Sequence, residues 1–185
     1  MTKASAILGF PSYTRSMGVD LHRDYGALEP LPDAARNDHE ATQRWGERRS
    51  RDLVACEQRG DYLQAASSGW DAAFTLGVLY GWRPAGTRHD DPDWEGGYFS
   101  NDGARVTVED ARALGSALER ALGDPDPVAV TPVQRMKALP ADLRELLGDD
   151  RDYVRGVLER LTSADTREDL DRYVRFLRRG SFTIE

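Results

Sequence analysis

Oxygen ligands at alternating positions are what a hard divalent cation requires, and one stretch of this sequence supplies them. Asp91, Asp93 and Glu95 are spaced by two, Gly96 follows, and Asp102 stands twelfth counting from Asp91. These fill positions 1, 3, 5, 6 and 12 of an EF-hand-type loop, which makes Asp91, Asp93, Glu95 and Asp102 candidate ligands for Ca²⁺ or Mg²⁺. The fit has faults: Glu95 is longer than the usual fifth ligand, and Asp102 is shorter than a bidentate Glu. No entering helix is evident after Pro84, and Asp102 also belongs to the turn Asn101-Asp102-Gly103. The competing reading is a solvated acidic loop leading into a hairpin, with no cofactor, and the residues favour it.

Other reactive types are scattered. His22, His39 and His89 fall in separate loop-rich or charged regions, so His89-Asp90-Asp91 lacks the further nitrogen or sulfur ligands of a transition-metal site. Cys56 shares a helical stripe with Leu53 and reads as a small core residue rather than a nucleophile. Ser67-Ser68-Gly69 is not a nucleophile elbow and reads as a turn or helix cap. Neither glycine-rich phosphate-binding pattern occurs.

The aromatic residues are the remaining chemistry. Trp70, Tyr80, Trp82, Trp94, Tyr98 and Phe99 crowd one stretch. Helical spacing assigns Trp70, Phe74 and Tyr80 to a core. Trp94 sits in the acidic loop, where no core periodicity explains it. Trp94 and Tyr98, with Trp82, are therefore the expected exposed binding anchors.

Composition sets bounds on these readings. The chain has 185 residues, 32 Asp plus Glu against 25 Lys plus Arg, a net charge of -7 and one cysteine. That acidity argues against a broad nucleic-acid footprint. One cysteine excludes an internal disulfide framework, which suits a reducing, cytoplasmic setting. No apolar run is long enough to span a bilayer. Lys3 and Lys137 are the only lysines, every other basic residue being Arg. A codon bias accounts for this without a function. Arg175, Arg178 and Arg179 near the end read as a helix terminus meeting its own dipole.

The elements that must position these residues follow from periodicity and punctuation. Residues 17–21 and 62–66 read as short strands, 38–58 as a charged helix stopped by Gly60, and 70–80 as a buried helix stopped by Gly81. Asn101-Asp102-Gly103 between short apolar segments signals a hairpin. Thr107 caps a helix with Asp110 at its third position, and Ala111, Leu114, Leu118 and Ala121 line its apolar face. Thr131-Pro132 starts another helix, and Pro140 a short one ending near Gly148. Two amphipathic helices follow, on Tyr153, Val154, Val157, Leu158 and Leu161 and on Leu170, Tyr173, Val174 and Leu177, the second capped by Thr166. Phe182-Thr183-Ile184 reads as a last strand that needs a sheet to join.

Part of this pattern resembles a group of small bacterial proteins with no known activity. The shared residues are Gly69-Trp70, Tyr80-Gly81-Trp82-x-Pro84-Ala85-Gly86-Thr87, Gly97-Tyr98-x-Ser100-Asn101-Asp102-Gly103, and Val106 followed by Asp110-Ala111 and Leu114. Met17-Gly18-Val19-Asp20-Leu21 and Gly180-Ser181-Phe182-Thr183-Ile184 are similar to the ends of those proteins. The resemblance implies one domain starting near Met17, and no mechanism. The sequence thus predicts an α+β fold, a small mainly antiparallel sheet packed against several helices. It spans 17–185, with an N-terminal extension over 1–16 and an insertion-like charged segment near 33–60. The expected function is a non-enzymatic cytoplasmic module that binds another protein, immunity- or adaptor-like. The alternative is a metal-dependent or small-molecule enzyme using the acidic loop 90–102.

Overall fold

The computed structural model describes residues 18–23, 31–84, 98, 104–148 and 150–184. Those residues form an α+β fold: a four-stranded antiparallel sheet and, among the described residues, seven α-helices. The expected extension over 1–16 lies outside them, as do Asp91, Asp93, Trp94, Glu95 and Asp102.

Strand β1 (Gly18–His22) pairs along its whole length with β2 (Tyr62–Ala66), from Gly18 opposite Ala66 to His22 opposite Tyr62. Its other edge takes β4 (Phe182–Ile184), and β4 in turn takes β3 (Ala104–Val106), giving the order β2-β1-β4-β3. Alternation is visible in β3 and β4, where Ala104, Val106, Phe182 and Ile184 are buried and Arg105 and Thr183 are not. The expected hairpin places its second arm correctly, but β3 finds its partner in the C-terminal β4. Of the other arm, Tyr98 lies in a turn and Phe99 and Ser100 lie outside the described residues.

The charged segment 33–60 becomes a 3₁₀ turn at Asp33–Ala35 and helix α1 (His39–Arg59). Asp38 caps α1 by accepting from the Ala41 amide at 3.0 Å. Of the stripe expected on α1, Cys56 is buried while Trp45 and Leu53 are half-buried. Gly60 ends α1 with a φ of 75°, the left-handed region that favours glycine. A side chain there would also meet the Arg179 guanidinium at 2.8 Å.

Helix α2 (Ser67–Leu79) starts earlier than periodicity suggests, because Ser67-Ser68-Gly69 is its first turn rather than a cap. Helix α3 (Val108–Gly123) opens as expected, with the Asp110 amide donating to Thr107 Oγ1 at 3.2 Å. Thr131 and Gln134 form a complete capping box on α4 (Pro132–Ala138). Helix α5 (Ala141–Leu147) ends at Gly148, and α6 (Arg151–Arg160) is capped by Asp150. The cap of α7 (Ala164–Leu177) is Ser163, three residues before the expected Thr166, whose amide donates to Ser163 Oγ.

The core lies between the sheet and α2, α3, α6 and α7. Trp70, Phe74, Leu114, Leu118, Leu158, Leu177 and Ile184 are among its fully buried members. Gly77 lets α2 approach α3, since a Cβ there would fall 2.4 Å from Leu114 Cδ1 and 3.0 Å from Trp82.

Arginines tie the helix ends together. The Arg179 guanidinium donates to the Arg59 carbonyl at the end of α1, and Arg120 donates twice to the Tyr80 carbonyl at the end of α2. Arg167 donates to the Leu122 carbonyl near the end of α3, and Arg23 to the Phe176 carbonyl near the end of α7. A cation at a helix C-terminus interacts well with the dipole and the unpaired carbonyls, and the planar Arg fork suits that task. Two of the C-terminal arginines are engaged differently, by carboxylates: Arg175 pairs with Asp171 and Arg178 with Glu119.

Candidate functional site

Two of the expected binding anchors are core residues. Trp82 is 1% exposed and Tyr98 4% exposed, which corrects their reading as surface anchors. The cause is Asp110, itself 4% exposed. Trp82 Nε1 donates to Asp110 Oδ1 and the Tyr98 hydroxyl donates to Asp110 Oδ2, each at 2.6 Å. The two rings stack with 8° between planes and centroids 5.9 Å apart, and Phe74 meets Trp82 edge-on at 5.0 Å. Trp70 Nε1 donates to the Tyr98 carbonyl at 2.6 Å, fixing the backbone of Tyr98 as well. A buried carboxylate is tolerable only with such partners. This constellation packs α2, α3 and the chain around Tyr98 together.

A second polar cluster is also structural. The Tyr80 hydroxyl donates to Asp124 Oδ2 at 2.7 Å, Arg135 donates to the same oxygen at 2.9 Å, and its guanidinium stands 4.9 Å from the Tyr80 ring centre. The Tyr80 hydrogen bond holds the Asp124 carboxyl below its ordinary value against the opposing effect of burial, with Arg135 adding to it. Burial and the neighbouring carboxylate push the Tyr80 hydroxyl up.

Cys56 is buried and unbridged, and Arg59 donates to its sulfur at 3.1 Å, in keeping with a structural part. Among the described residues no group of three or more His, Cys, Asp or Glu side chains could hold a metal ion. The candidate ligands Asp91, Asp93, Glu95 and Asp102 are outside those residues, as is Trp94, so the acidic loop contributes nothing to the geometry below.

The open site lies elsewhere. A cleft of about 370 Å³ runs between β2, the start of α2, and helices α6 and α7. Its apolar lining includes Leu63, Ala72, Leu76, Val157 and Leu170, and its polar lining Ser68, Arg160, Thr166, Asp169, Arg172 and Tyr173. Its volume lies in the range of small-molecule sites, which pair apolar walls with a few placed polar groups.

The start of α2 gives the cleft its character. The residue before the helix is Ala66, which has no side chain to cap it, whereas α1, α3, α4, α6 and α7 all carry a side-chain cap. The first-turn amides of α2 therefore have no intrahelical acceptor and no cap from Ala66, and they carry the positive end of the helix dipole. Tyr173 reaches this turn from α7. It is 7% exposed, its ring stands 6.1 Å from that of Trp70, and its hydroxyl has no hydrogen-bond partner among the described residues. The hydroxyl lies 3.3 Å from where a side chain on Gly69 would begin, so Gly69 leaves the space it occupies. Burial, with Asp169 nearby, pushes that hydroxyl well up, so it stays protonated.

Charge around the cleft is mixed. Arg160 is exposed on α6, and Arg172 pairs with Glu57 at 2.7 Å and Asp169 at 3.5 Å. Asp71, one residue beyond Trp70 on α2, has its carboxyl pushed up by burial. None of these residues was singled out by sequence reasoning. Tyr173 sits on a clean apolar stripe and reads as core; the one available signal was an uncapped serine-glycine turn opening a buried helix.

Among the described residues no helix is long and apolar enough to cross a membrane. No family model, no curated protein and no solved structure matches this chain.

Proposed function

We propose that this chain is a non-enzymatic binding module whose ligand site is the cleft between α2, α6 and α7. The observation that carries the reading is Tyr173, whose ring is buried while its hydroxyl, with no protein partner among the described residues, opens on the cleft beside the first turn of α2. The cleft's polar groups suit holding rather than reacting. Arg160 and Arg172 offer N–H donors, and the Tyr173 hydroxyl is held protonated by burial. Such groups orient an acceptor; they do not withdraw a proton from it. A screen of small polar fragments, read by amide shifts in the full chain, tests this. Hits should move Ser68, Gly69 and Thr166 and be recovered unaltered. Hits that gather elsewhere, or that are chemically converted, would overturn it.

A second reading, a protein partner, has its own support on α4 and α5. A groove of about 500 Å³ there is lined by Val133, Met136, Lys137, Arg144, Glu145, Gly148 and Arg151. The loop entering α4 exposes Val128 by 46% and Val130 by 42%. Basic side chains beside apolar ones match an acidic amphipathic segment.

A further inference from the structure

Resting on the reading of the cleft as the ligand site, we propose that its ligand is a small molecule carrying an oxyanion, a carboxylate or a phosphate, on a short apolar body. The oxyanion would sit at the first turn of α2, accepting from the Ser68 and Gly69 amides and from the Tyr173 hydroxyl. The apolar body would lie along Ala72, Leu76, Val157 and Leu170.

Three independent features converge on this chemistry. The first is the helix start, where unpaired amides and the dipole favour a negative oxygen. Ala66 supplies no competing cap, so the amides remain available. The second is Tyr173. Its hydroxyl is a donor in want of an acceptor, set against the same turn by the absence of a side chain at Gly69. The third is the lining along α2, which is polar at Ser68 in that turn and apolar at Ala72 and Leu76 further along the helix. A free inorganic ion would leave the apolar part unused, and a wholly apolar molecule would leave the amides and the hydroxyl unpaired.

Charges on all sides set the strength of binding. Arg160 on α6 and Arg172 on α7 favour an anion; Asp169 on α7 and Asp71 on α2 oppose it, and Glu57 on α1 already engages Arg172. The balance makes the site selective for a single oxyanion group rather than a highly charged polyanion.

The test titrates the full chain with hexanoate, hexyl phosphate, inorganic phosphate, hexanol and hexylamine, following the Ser68 and Gly69 amides. Hexanoate or hexyl phosphate should shift both amides and bind more tightly than inorganic phosphate or hexanol, and the stronger of the two identifies the head group. Tyr173→Phe should weaken that binding roughly 2- to 10-fold, the effect of one hydrogen bond, with the thermal midpoint retained or raised. Arg160→Gln, at an exposed position, should weaken it too, and Asp71→Asn should strengthen it. If hexanol or hexylamine shifts the cleft amides as strongly as the anions, the cleft is a ligand site and the oxyanion assignment is wrong. If no probe moves cleft amides, both are wrong. Equal binding by Tyr173→Phe and Arg160→Gln would also overturn the assignment.

Discussion

The buried Asp110 offers the sharpest test of how this core is held. Its two oxygens accept from Trp82 Nε1 and the Tyr98 hydroxyl, both at 2.6 Å. Asp110→Asn keeps the shape but offers one acceptor and one amide donor. The Asn oxygen can still accept from Trp82 and its amide can donate to the Tyr98 hydroxyl oxygen, but the hydroxyl hydrogen then loses its buried acceptor. A hydrogen bond to a charged group contributes about 1.5–3 kcal/mol, and an unsatisfied buried donor costs about 1–3 kcal/mol. Relief from burying the charge offsets part of that. The net loss is about 2–4 kcal/mol, which for a chain of this size lowers the thermal midpoint by on the order of 10 °C. Tyr98→Phe removes the same hydrogen bond from its other end, so in the double variant no hydroxyl hydrogen is left without an acceptor. Urea unfolding of the four proteins should therefore show the double variant less destabilised than the two singles together, with a coupling of about 1–3 kcal/mol. A loss below about 0.5 kcal/mol for Asp110→Asn, or simple additivity, would refute the account of Asp110 as the shared acceptor.

Two further outcomes follow from positions already described. Gly77→Ala should cost about 1–3 kcal/mol by overpacking, because the new Cβ falls 2.4 Å from Leu114 Cδ1; a urea midpoint equal to wild type would contradict the close α2–α3 approach. Tyr80→Phe should destabilise most at neutral pH. The Asp124 carboxyl, depressed in the folded state mainly by Tyr80, contributes stability above its ordinary value of 3.8 and loses it as pH falls through the lower folded value. The gap between wild type and variant should accordingly narrow as pH falls below that ordinary value in acid unfolding curves.

Local chemistry in the sequence was enough for some elements and not for others. β2 matches its expected bounds, 62–66, because Gly60 and the serine-glycine turn punctuate both ends. Thr107 and Thr131 cap their helices as read, since capping is a contact over three residues. The role of Asp110 was also legible and was missed. It shares spacing of four, seven and eight with Leu114, Ala117 and Leu118, so it belongs to the buried stripe of α3, and a carboxylate there demands donors. Trp82 and Tyr98 were placed at the surface because their neighbours in sequence are loop residues, while their neighbours in space lie on α2 and α3. The insertion of β4 between β1 and β3 depends on pairing across more than seventy residues, which no local pattern encodes. The cleft is of the same kind: Tyr173 and Gly69 meet only after α7 packs against the sheet.

The arginines at the helix ends bear on how long the folded state lasts once formed. The four links from Arg179 to Arg59, Arg120 to Tyr80, Arg167 to Leu122 and Arg23 to Phe176 span 120, 40, 45 and 153 residues of chain. Contacts of such span form only after large loops have closed, so they add little to the folding transition state. Interactions absent from that state act almost wholly on the unfolding rate. The arginines at the helix ends are thus expected to act as latches: substituting one should speed unfolding more than it slows folding.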